Sequence, residues 1–209
     1  MRVASHRVDD WREAVWRAVP ETAAPERFAA RRAFLLAHVR PGLRVLDLGG
    51  GDGAFAAELV AAGCAVVAVD VAAEALRRAS ARVPGLDARL VAEGAALPLD
   101  EDAVDVVWAG EVLEHVADVV GLLADVRRVL RWTGTLVATT PYHGRAALAA
   151  LAMRPGALEE HFDPRADHLR FFTARSLRDV LRDAGFAAVD VRAVGGVPLL
   201  RRGLHAVAR

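Results

Sequence analysis

The stretch V-L-D-L-G-G-G-D-G-A-F, residues 45–55, constrains this chain more than any other. An apolar run leads straight into glycines, so the backbone must turn sharply from strand to helix and leave room for a ligand to touch it. Apolar runs at 43–48, 65–70, 88–93, 104–109 and 135–139 read as buried strands. Between them, 54–62, 73–83 and 116–130 carry apolar residues at helical spacing. The order is therefore βαβαβ and the sheet largely parallel, a doubly wound, Rossmann-like α/β fold with helices on both faces.

Both flanks have their own patterns. Helical spacing at 9–19 (Trp11, Val15, Trp16) and 25–39 (Phe28, Phe34, Leu35) places two helices before Pro41-Gly42. From 141 to 172 the pattern breaks into a loop, a short helix at 145–153 and the stretch EEHFDPRADHLRFF, which reads as a substrate lid. Residues 173–184 form a helix with Thr173 as N-cap and Gly185 as its stop. Runs at 187–194 and 204–209 bring the strands to seven. The loop between them, 195–203, carries Val197, Leu199 and Leu200 and is apolar for a surface loop; it lines a substrate mouth or an oligomer contact. The expected organisation is one domain, 1–209, with 1–40 as N-terminal helices and 141–172 as the lid.

The glycine loop points to a ligand. A bare triglycine is commonly a tight turn only, but here a strand precedes it, a helix follows, and Asp70 ends the next strand. Gly49, Gly51 and Ala54 fit the dinucleotide pattern G-x-G-x-x-G/A, with Asp70 about 20 residues on, where a ribose-binding acid belongs. That spacing suits NAD and S-adenosylmethionine (SAM) alike. Charge separates them: Asp47, at the end of the first strand, would oppose a pyrophosphate but suits the sulfonium and ammonium of SAM. The glycine amides and helix N-terminus would then serve the ligand's carboxylate.

Composition removes other classes. The 27 basic residues balance 27 acidic ones, so no net field draws the chain to nucleic acid or an anionic membrane. Every basic residue other than histidine is arginine, since the chain has no Lys, and Asn, Gln and Ile are also missing. Walker, Schiff-base and general-base lysines are thereby excluded. Cys64, the one cysteine, makes neither an intrachain disulfide nor a zinc cluster. The segment TTPYHG, 139–144, resembles the D/N/S-P-P-Y motif of adenine methylation, yet it has one proline and leads with Thr140, so DNA is set aside. With no signal-like apolar core at the N-terminus and no spanning run, the expected location is the cytoplasm. The expected partner is a small-molecule substrate, not nucleic acid or membrane, and the expected state a monomer or homodimer.

Taken together, VLDLGGGDG, the acid closing AVVAVD, AEGAALPLDEDAVDVV, EVLEHV and HLRFFTARSLRDVLRDAGF make residues 43–209 resemble the class I SAM-dependent methyltransferases. The resemblance is greatest to the bacterial group that includes the ubiquinone-pathway O-methyltransferases. It implies SAM as cofactor and an antiparallel seventh strand inserted beside the sixth. Asp70 would bind the ribose hydroxyls, Val71 would pack on adenine, and Glu93-Gly94-Ala95 would form the turn meeting the adenine amino group. Ala109, Gly110 and Glu111 would lie beside the methionine part, completing with Asp47, Gly49, Gly50 and Gly51 the cofactor set. Glu93 also reads as a solvated loop acid, and Glu111 with His115 as a simple i,i+4 helical pair.

For chemistry, His143, His161 and His168 fall in the lid with Asp163 and Asp167. No helical histidine pair or facial-triad spacing appears, so no metal is expected. His161, between acids and a phenylalanine, reads as a surface residue; His143 and His168 are the candidate bases, with His115 in reserve. The expected reaction is in-line methyl transfer to a small molecule at oxygen. Alignment alone can supply up to roughly 7–11 kcal/mol of such a barrier. The alternatives are a nicotinamide-dependent oxidoreductase and a SAM-binding module without transfer activity.

Overall fold

Alternation along the strands decides which side chains meet. In the computed structural model, which describes residues 5–163, 166–197 and 201–209, the central strands bury both of their faces. Val45, Val66, Val106, Trp108 and Val137 turn one way and pack with Leu35, Phe55, Ala56 and Leu59. Leu46, Val67, Val107, Leu136 and Ala138 turn the other way, against Leu123, Val126, Leu177 and Leu181. Near-continuous apolar runs are what a parallel strand covered on both sides requires.

The elements in chain order are α1 (Ser5–Ala18), α2 (Phe28–Leu36), β1 (Arg44–Leu48), α3 (Ala54–Ala61), β2 (Ala65–Asp70), α4 (Ala73–Arg82), β3 (Asp87–Leu90), β4 (Val104–Gly110), α5 (Val119–Val129), β5 (Leu130–Pro141), α6 (Arg145–Ala152), α7 (Ala157–His161), α8 (Ala174–Asp183), β6 (Val189–Val194) and β7 (Gly203–Ala208). The sheet runs β3-β2-β1-β4-β5-β7-β6, with β1 parallel to β2 and β4, and β7 antiparallel to both β5 and β6. The seven-stranded, mostly parallel sheet with an antiparallel seventh strand is thus the fold the sequence predicts. Strand order reverses between β1 and β4, and in such sheets ligands bind outside the carboxyl ends at that reversal.

Several boundaries differ from the sequence reading. No helix covers 116–118: Leu113–His115 is a single 3-10 turn, and α5 starts only where the Asp118 side chain caps it by accepting from the Gly121 amide at 2.9 Å. The connection from β3 to β4 carries no helix. β5 begins five residues early, at Leu130, and meets β4 through a register shift between Val104 and Val106. Part of the stretch expected to be irregular, Ala157–His161, is helical. Thr173 caps α8 as expected, in a reciprocal capping box with Ser176, and Gly185 at φ 90° ends it. Of the apolar loop, Val197 is exposed, whereas Leu199 and Leu200 lie outside the described residues.

Two glycines at the same φ of 76° test how closely the loop packs. A Cβ at Gly53 would lie 2.8 Å from the Ala79 Cα of α4, while at Gly94 nothing lies within 4 Å. Either alanine variant carries the left-handed backbone cost of roughly 1–2 kcal/mol; Gly53→Ala adds a clash with backbone. Thermal unfolding should show Gly53→Ala lowering the midpoint clearly more than Gly94→Ala, at about 2–4 °C per kcal/mol in a chain this size. Equal shifts would mean that α4 gives way at no cost.

Candidate active site

The glycine loop is tied to β2. The Val69 carbonyl accepts from the Gly49 and Gly50 amides at 2.8 and 3.1 Å, and Asp70 accepts from the Gly51 and Ala72 amides at 2.9 Å each. The Gly53 amide donates to the Gly50 carbonyl. These amides are spent on the fold, which corrects the expectation that they serve a ligand's carboxylate. The loop is closely covered as well: a Cβ at Gly49 would lie 2.5 Å from the Val112 side chain and one at Gly50 3.1 Å from that of Ala68. Asp70 is 8% exposed and burial raises its pKa, against the pull of the Ala72, Gly51 and Val71 backbone donors.

Over this loop lies α1. A Cβ at Gly51 would sit 2.9 Å from the Trp16 ring. The Glu13 carboxylate accepts from the Ala73 and Glu74 amides that begin α4. Arg12 pairs with Glu93 at 3.8 Å and donates to the His115 carbonyl at 2.9 Å. One helix therefore bridges the ends of β1, β2, β3 and β4. Val71, Glu93, Gly94 and Ala95 line this side, with Glu93 paired to Arg12 and so not merely solvated.

Beneath it sits a buried set of charges. Asp47, on β1, is 1% exposed, its Oδ2 has no partner, and its pKa is pushed up to about 7 by burial and then by the Asp70 charge. Arg31, from α2, lies against Gly110, where a Cβ would be 2.5 Å from its guanidinium, and sits 4.8 Å from the centre of the Phe55 ring. Burial lowers its pKa despite Glu111, Glu114 and Asp47 nearby. Ala109 and Gly110 end β4; Glu111 follows at φ 58°, a left-handed conformation that strains a non-glycine residue, and receives Arg27 at 3.2 Å. Glu111 and His115 are consequently not a helical i,i+4 pair, because Glu111 turns the chain out of the strand before the 3-10 turn starts.

The histidines fall into two groups. His115 and His168 rings lie 4.9 Å apart beside Glu114, whereas His143 packs against His161 at 5.2 Å and Phe171 at 5.0 Å. Glu114 is fully buried; Thr140 donates to its Oε2 at 3.0 Å, Oε1 has no partner, and burial with the Glu111 charge pushes its pKa up to about 8. Segment 141–172 is stitched here, since the Glu114 carbonyl accepts from the Leu169 and Arg170 amides. His143 is 6% exposed, its Nδ1 is unpartnered, and burial lowers its pKa.

Arg31 and Glu114 were not singled out from the sequence. Arg31 could have been: it sits at helical spacing between Phe28 and Leu35, on the apolar stripe where an arginine is out of place. Glu114 gives no such signal, because its burial depends on the chain around Leu169 and Arg170 folding back across it.

Comparison with known proteins agrees with this geometry. A family model described as "Methyltransferase domain" matches residues 16–191. A malonyl-[acyl-carrier protein] O-methyltransferase of Methylococcus capsulatus is 34% identical over 83% of this chain and 62% of its own length. A ubiquinone biosynthesis O-methyltransferase of Burkholderia mallei is 27% identical over 82% of this chain and 77% of its own. The solved structure of a SAM-dependent methyltransferase from Mesorhizobium loti superposes with a TM-score of 0.71 at 21% identity, over 89% of this chain and 99% of that one. The chain spans 62% and 53% of the length of the first two curated relatives it matches.

Asp47 makes stability depend on pH. Unfolded, it loses its proton near pH 3.8; folded, only near 7. Its stabilising effect is full below the lower value and is lost as pH rises through the higher one. In urea titrations at pH 5 and pH 8, Asp47→Asn should remove about 2 kcal/mol of the wild-type loss between those pH values. An unaltered pH profile would show that Asp47 is already ionised at pH 5.

Proposed function

The chain belongs to the family of SAM-dependent methyltransferases, and we propose that it moves the methyl group of SAM to an oxygen of a small-molecule acceptor. Family membership sets aside the nicotinamide alternative. Two relatives named for O-methyl transfer support oxygen as the acceptor atom. The observation that carries the reading is the meeting of two chemistries at the ends of adjacent strands. At the end of β4, Gly110 meets Arg31 from α2 beside Asp47 of the neighbouring β1, while β5 brings Thr140 and, just past its end, His143 under the lid.

In this mechanism Asp70 accepts the ribose hydroxyls through lone pairs that Gly51 and Ala72 leave unused. Val71 and the Glu93-Gly94-Ala95 turn meet the adenine. Asp47 gives up its proton to answer the ammonium, and Arg31 meets the methionine carboxylate. Gly49, Gly50, Gly51, Ala109 and Gly110 supply contact surface, and Glu111 holds Arg27. Held by these residues, SAM would supply its methyl group to the acceptor oxygen, the S–CH3 bond giving way to O–CH3 and the cofactor becoming a neutral thioether. The hydroxyl proton passes to His143 Nδ1, the buried ring nitrogen without a partner. His115 stays in reserve: with Nδ1 held against the Asp167 carbonyl at 2.9 Å, its free nitrogen is Nε2.

Incubation with SAM and candidate phenols, alcohols and carboxylates should yield one product heavier by a methylene, detected by mass. Binding of SAM with no product from any acceptor class would favour a binding module. Asp70→Asn should weaken SAM binding by roughly 10- to 100-fold in calorimetry. His143→Ala should lower turnover of a hydroxyl acceptor by roughly 10²- to 10⁴-fold with SAM affinity retained. Near-normal turnover in that variant would remove His143 as the base.

A further inference from the structure

Sequence spacing gives no metal motif, since Glu114 and His115 are adjacent in the chain while His168 lies in the lid. The fold brings the three together: one ligand atom from each falls within 4.8 Å of the others. Ligands sharing an ion at about 2.0–2.2 Å lie roughly 3–4 Å apart, so small side-chain shifts suffice to close the set.

Glu114 and His115 each have a free donor atom. Thr140 occupies Glu114 Oε2 and leaves Oε1 buried without a partner. His115 holds Nδ1 against the Asp167 carbonyl at 2.9 Å, which fixes the tautomer with Nε2 unprotonated, and Nε2 stands 4.0 Å from Glu114 Oε1. A histidine donating one nitrogen to a backbone carbonyl and offering the other is the usual support for a metal ligand. The His168 ring meets that of His115 edge-on. The cations in reach, Arg12 and Arg31, are opposed by Glu93 and Glu111.

We propose that Glu114, His115 and His168 form a binding site for a divalent transition-metal cation. Two imidazoles and one carboxylate suit zinc, cobalt or iron(II) better than magnesium or calcium, which prefer all-oxygen shells. Three protein ligands leave coordination positions open. Resting on the methyl-transfer reading above, those positions would take the acceptor oxygen and lower its pKa.

Cobalt(II), titrated into the metal-free protein without SAM or acceptor, is the probe. One equivalent should bind with a visible absorption band that zinc displaces. Glu114→Gln, which keeps an acceptor for Thr140, and His168→Ala should each lower cobalt affinity by at least about tenfold. His161→Ala, in the neighbouring histidine group, should bind as the wild type does. Circular dichroism controls for folding, and the SAM affinity of the metal-free protein, taken in parallel, tests the methyl-transfer reading separately. A wild type with no band, or Glu114→Gln and His168→Ala variants that bind cobalt undiminished, would overturn the proposal.

Discussion

The carboxylate that closes β2 holds the turn that opens the site. Asp70 accepts one hydrogen bond from Gly51, in the loop after β1, and one from Ala72, at the entry to α4. It thereby fixes two strand-to-helix turns relative to each other, while Val69 secures the same loop through Gly49 and Gly50. Burial works against a charged Asp70, and the backbone donors offset part of that penalty. Removing this carboxylate would free both turns at once.

Charge beneath the loop is the second constraint. Asp47, Glu114, Arg31 and Glu111 converge where the strand order reverses, each supplied by a different segment. Burying so many ionisable groups costs stability, and the protein meets that cost partly by keeping carboxyls protonated near neutrality. Aromatic faces of Phe55 and Trp108 shield the Arg31 cation from the side. Such pent-up electrostatics at a topological switch point are what a zwitterionic, cationic ligand can relieve.

The fold was legible because its signals are local. Apolar runs, the glycine loop and the Thr173 cap each specify their element within a few residues. Less was visible where a contact crosses the chain. Asp118 is a local cap signal for α5, but apolar Val116 and Ala117 extend the run past it and mask the start. The glycine amides look available in sequence and are claimed by β2 in space. His143, His161 and His168 look like one cluster in sequence, but Phe171 and Glu114 divide them between two neighbourhoods. Positions of the candidate cofactor residues followed from strand ends, whereas the grouping of catalytic candidates needed the tertiary fold.

The placement of α1 bears on kinetics. With Trp16 over Gly51 and Arg12 tied to Glu93, a molecule seated against Gly51 would displace the helix. Apparent affinity is then the intrinsic affinity reduced by the fraction of molecules whose helix is already raised. Arrival would be paced by the opening of α1 rather than by diffusion, and the same helix, once reclosed, would slow departure. Residence time would thus be written into a segment that precedes the first strand, well outside the glycine loop.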